Sequence, residues 1–145
     1  MTTNPRIASI ALAIALSACT VTDARRTSID SSGLATLAIK QGVLEEHVTF
    51  RRSYTALDFR LFASVNTGMA PGPSDYDYLI VAVVPTAELE RWTVGMKSMT
   101  SPPSPLPELR TNIDYSGVNE WFYELNKVVG VDRASGTIVY HYTAR

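Results

Sequence analysis

Two histidines, His47 and His141, are the side chains of this sequence that could exchange a proton near neutral pH, and Asp75 and Asp77 are two carboxylates one residue apart. Hydrolysis by such groups requires an imidazole within hydrogen-bond reach of an acid, a nucleophile or a metal. The chain has no His-Glu-x-x-His, no Gly-x-Ser-x-Gly and only one cysteine, Cys19. A metalloprotease helix and a nucleophile elbow are therefore not written in it. His47 follows Glu45-Glu46, and His141 stands between Tyr140 and Tyr142 in a β-prone run, so each reads as a surface or sheet-face residue. In an extended Asp75-Tyr76-Asp77-Tyr78 the carboxylates share one side, but a calcium loop needs more oxygen ligands at regular offsets. That pair reads as the solvated start of a strand with its tyrosines turned inward, and no metal is expected.

Aromatic residues supply a second kind of chemistry. Tyr115, Trp121, Tyr123, Tyr140 and Tyr142 crowd into the last third of the chain, and such amphipathic rings are enriched in binding patches. A small sheet also builds its core from them. The five form the candidate binding patch, with core packing as the competing and favoured role.

The elements that must position these groups follow from periodicity and turn signals. Leu34, Leu37, Ala38, Leu44 and Val48 fit one helical face, which predicts a helix over about residues 32–46 capped by Ser31 or Ser32. Val48 to Arg52 and Phe59 to Val65 alternate with period two and predict strands. Asn66 to Asp75 holds two Gly and two Pro and predicts a loop. Tyr78 to Val84, the most apolar run after residue 19, predicts a central strand covered on both faces and stopped by Pro85. A helix from Ala87 to about Met96, capped by Thr86, would turn Leu89 and Trp92 to the sheet.

Ser101 to Glu108 carries four prolines and predicts a stiff connector. Glu120 to Val129 fits a strand, with a short helix as the alternative, and Asp132 to Gly136 followed by Thr137 to Thr143 predicts a C-terminal hairpin. Together these predict an α+β domain: a small antiparallel sheet of about four to five strands with one or two helices packed on one face.

The first residues speak to location. Arg6 precedes an apolar segment, Ile7 to Leu16, which closes on Leu16-Ser17-Ala18-Cys19, the order of parts in a secretory signal. The uncharged run from Ile7 to Thr22 is sixteen residues, several of them Ala, Ser or Thr. That is short of the ~20 apolar residues of a spanning helix.

Leu16-Ser17-Ala18-Cys19 resembles the lipobox of bacterial lipoproteins, an aliphatic residue and two small ones before Cys, at all four positions. The resemblance implies cleavage between Ala18 and Cys19, with diacylglycerol and fatty acyl groups on Cys19 as the only cofactor-like additions. It also implies that Thr20, where an Asp would retain the protein in the inner membrane, directs it to the outer membrane. On this reading residues 1–18 are removed, 19–32 form the lipidated N-terminus and a flexible tether, and 33–145 form one α+β domain. Two or three acyl chains make a stable anchor.

Loss of Arg6 leaves twelve Lys and Arg against fourteen Asp and Glu, a net charge of −2, which is no footprint for nucleic acid. With Cys19 acylated the domain has no thiol for a disulfide and must hold together by packing. The expected function is a lipid-anchored, non-enzymatic binding or accessory module of the periplasm whose partners are the membrane and another envelope protein. The alternatives are an envelope hydrolase acting on peptidoglycan or a conjugate through His47 or His141, and a periplasmic inhibitor or immunity protein.

Overall fold

A computed structural model describes residues 24–66, 74–102 and 105–145. The expected signal segment and cleavage site, Cys19, and most of the loop expected from Asn66 to Asp75 lie outside the described residues. Seven strands form one sheet: β1 (Ala24–Asp30), β2 (Ala56–Asn66), β3 (Asp75–Val83), β4 (Lys97–Met99), β5 (Glu120–Glu124), β6 (Lys127–Asp132) and β7 (Thr137–Ala144). Their spatial order is β1-β2-β3-β7-β6-β5-β4, with every pairing antiparallel. Helices α1 (Leu37–His47) and α2 (Leu89–Thr93) complete the set.

The α+β class holds in coarse form, but the expected four to five strands are corrected to seven. Ala24–Asp30, expected in the tether, is the edge strand β1. Its ARRTSID sequence hid it because an edge strand is held by backbone pairing to β2 and only Ile29 packs on the core. The three-residue β4 is too short to carry a period. Glu120 to Val129 is divided by a turn at Leu125, whose φ of 49° is rare for a residue with a Cβ. Val48 to Arg52 is not a strand: Val48 caps α1, and the chain then runs over the sheet.

Both helices cover one face. Leu44 of α1 and Leu89 and Trp92 of α2 pack on Leu57, Phe59 and Leu61 of β2, Ile80 of β3 and Ile138 of β7. Thr36 caps α1 by accepting a hydrogen bond from Ile39 N at 3.2 Å, four to five residues later than the serines expected to do so. Ser31 instead is fully buried where β1 ends. Its hydroxyl accepts from Phe59 N at 2.9 Å and donates to Asp58 Oδ1 at 3.1 Å.

On the opposite face Leu79, Val81 and Val139 are covered by Leu106, Leu109, Ile113, Tyr115, Val118 and Trp121. The segment leading out of the proline-rich connector is thus a lid of core residues. Gly130 makes this packing fit: a Cβ there would stand 2.5 Å from Val118 Cγ1 and 2.6 Å from the Trp121 ring. The C-terminal hairpin forms as expected, turning at Gly136 with φ 74°.

Candidate functional site

Beyond the end of α2 the helix-bearing face is left open, and a groove of about 490 Å³ remains, a size typical of ligand sites. Its aromatic floor is positioned by strand register. Tyr78 of β3 lies directly opposite Tyr142 of β7, and Ile80 opposite Tyr140, so period two presents Tyr76, Tyr78, Tyr140 and Tyr142 to the same side. Phe50 comes from the crossing segment and Trp92 from α2. Phe50 meets Trp92 and Tyr140 edge-on, with centroids 5.4 Å apart in both pairs, and Trp92 meets Tyr140 at 6.0 Å. Tyr76, Tyr78 and Tyr142 form a second cluster at 5.8 to 6.5 Å.

Burial raises the pKa of two of the phenols. Tyr140 is pushed up to about 12 by burial and then by Tyr142, and Tyr78 is raised by burial and by its neighbours Tyr76 and Tyr142. At neutral pH Tyr78 and Tyr140 therefore offer neutral rings and hydroxyls.

The rim carries Arg52, Arg91, Lys127 and Glu124. Arg91 is held by Glu88 at 2.7 Å, and Lys127 lies 3.6 Å from Glu124. Arg52 lies over the Trp92 ring with its guanidinium carbon 5.5 Å from the centroid, and its Nη2 donates to the Arg91 carbonyl at 2.9 Å. No carboxylate pairs with Arg52 among the described residues. Its Nε and the Trp92 Nε1 are both shielded from solvent without an acceptor. Unsatisfied buried donors are uncommon, and each calls for a partner or a role.

The candidate patch is divided by the sheet. Tyr140 and Tyr142 belong to the groove, whereas Tyr115 and Trp121 are packed into the opposite face, and Tyr123 is 41% exposed on that same side. The five are therefore not one surface. Phe50, Arg52, Tyr76, Tyr78 and Trp92 are the groove residues that sequence reasoning missed. Their separation along the chain leaves no local signal, and Trp92 was legible only as a core residue.

The histidines are also kept apart. His47 lines the groove, while His141, opposite Leu79, faces the other side and lies 3.0 Å from Asp77 Oδ1. Asp77 is further approached by Arg60 at 4.0 Å. Asp75 and Asp77 do share a side, yet no group of three metal-ligating residues occurs among the described residues. The groove is thus equipped to bind rings and acceptor groups, with His47 as its single imidazole. No protein-family model, curated protein or solved structure matches the chain.

Proposed function

We propose that this chain is a lipid-anchored cell-envelope protein whose folded domain is a non-enzymatic binding or accessory module, taking another envelope protein in the groove on its helix-bearing face. The lipobox resemblance of Leu16-Ser17-Ala18-Cys19 supports the anchor, and Thr20 favours the outer membrane over the inner. The observation that carries the binding role is the open groove floored by Trp92, Tyr140 and Tyr142 and edged by Arg52, the residue types that dominate binding energy at protein interfaces. Placing a photo-crosslinking residue at Thr49 or His47 in intact envelopes tests it. One adduct of defined mass is expected from both groove positions and none from Ser135 in the β6–β7 turn. Equal labelling from all three, or none from the groove, contradicts the reading.

A second reading, the envelope hydrolase, is favoured by one observation: the 3.0 Å contact of His141 with Asp77, in which a carboxylate could orient an imidazole as a base. Among the described residues no hydroxyl is hydrogen-bonded to His141. Replacement of His141 by Gln decides between the two. A lost cellular phenotype with intact folding and intact crosslinking favours the hydrolase, and an unchanged phenotype favours the binding module.

A further inference from the structure

We infer that the end of the sheet at which β1 begins lies against the lipid surface, with Leu125 at the tip of the β5–β6 turn entering the interface. This rests on the lipid-anchor reading and adds an orientation to it. Strand register brings the relevant groups to one end. Ala24 pairs with Asn66, Ser64 with Asp75, Tyr76 with Ala144, Tyr142 with Lys127 and Tyr123 with Lys97, and the β5–β6 turn at Leu125 projects from the same end.

Chain length limits the alternatives. Five residues from Cys19 to Ala24 reach at most ~18 Å when fully extended. β2, running from Ala56 to Asn66, spans about 34 Å at the rise of an antiparallel strand. The far end of the sheet, with the β6–β7 turn, therefore stands beyond the reach of an acylated Cys19 lying beside β1.

The surface at the near end suits a bilayer. Leu125 is 95% exposed and Val94, at the mouth of the groove shortly before β4, is 76% exposed; no other large apolar side chains in the described residues are as open to solvent. Single exposed apolar residues are ordinary, but here the two most exposed fall at the end from which the chain leaves toward its anchor. Beside Leu125 stand Lys127, paired with Glu124, and Lys97, while Arg145, Asp75, Arg25 and Arg26 lie at the same end on strands toward the opposite edge of the sheet. Cations flanking a projecting apolar tip match anionic headgroups over an acyl boundary.

Spin-label depth measurement on the full lipidated protein in phosphatidylcholine vesicles containing phosphatidylglycerol tests the orientation. Acylation occupies the Cys19 thiol, so a nitroxide attaches only to a new cysteine, introduced as Leu125→Cys, Val94→Cys or Ser135→Cys. The labels at Leu125 and Val94 should collide with oxygen in preference to an aqueous nickel chelate severalfold more than the label at Ser135. Vesicle-bound protein whose three labels are equally aqueous overturns the orientation and leaves the anchor standing. Wild-type protein that fails to float with the vesicles overturns the anchor, and the orientation with it.

Discussion

Arg52 lies across the indole of Trp92, its guanidinium carbon 5.5 Å from the ring centroid, so the cation at the groove edge rests on a residue that is itself part of the core. Position and binding are coupled there. A cation over a tryptophan contributes about 0.5–2 kcal/mol depending on its hydration.

Tyr142 and Trp92 should separate stability from binding. Trp92→Ala removes a ring that is only 6% exposed and should cost about 3–5 kcal/mol in urea unfolding. Half-buried Tyr142→Ala should cost about 1–2 kcal/mol, yet it should abolish the groove crosslink from Thr49.

Asp58 should govern acid stability. It accepts from Lys40 Nζ at 2.6 Å, Thr111 Oγ1 at 2.7 Å and Ser31 Oγ at 3.1 Å, tying α1, the covering segment and the end of β1 to β2. Burial acts to raise its pKa, but these hydrogen bonds together outweigh burial and hold the carboxyl below its ordinary 3.8. A depressed folded-state pKa contributes stability that is fully present above the unfolded value and lost as pH falls through the folded one. Unfolding free energy should therefore drop as pH is lowered below 3.8, and Asp58→Asn should flatten that slope. At neutral pH Asp58→Ala should cost about 2–4 kcal/mol, because Lys40 and two hydroxyls lose their acceptor.

Gly130 and Trp121 should behave as a coupled pair. Gly130→Ala places a methyl 2.6 Å from the Trp121 ring and should cost about 1–3 kcal/mol. In the background of Trp121→Ala and Val118→Ala the same substitution should cost much less, and additive losses in a mutant cycle would contradict the packing.

Much of the fold was legible where side-chain pattern and backbone demand coincide. β3 announced itself because Leu79, Ile80, Val81 and Ala82 are buried on both faces, and the β6–β7 hairpin because Asp132 and Gly136 are turn residues. β1 was hidden because its partner is a backbone edge. Leu125 gave no warning of a turn, since a leucine seldom adopts positive φ; Asn126 beside it was the available signal. The described residues of the proline-rich connector are irregular, as expected, but that the connector and its continuation bury Leu106 and Ile113 depends on the distant strand residues Val81 and Val139. The groove was the least legible feature. Its rings come from the crossing segment, β3, α2 and β7, and only the register of Tyr78 on Tyr142 brings two of them together.

The anchor is the claim on which location, orientation and partner class all depend. Palmitate labelling with membrane fractionation of the wild-type chain and Cys19→Ala tests it most directly. Labelled, membrane-bound wild type is expected, with complete loss of both label and membrane association in the variant. A wild-type protein that is unlabelled and soluble, or a Cys19→Ala protein that keeps its label, would contradict it.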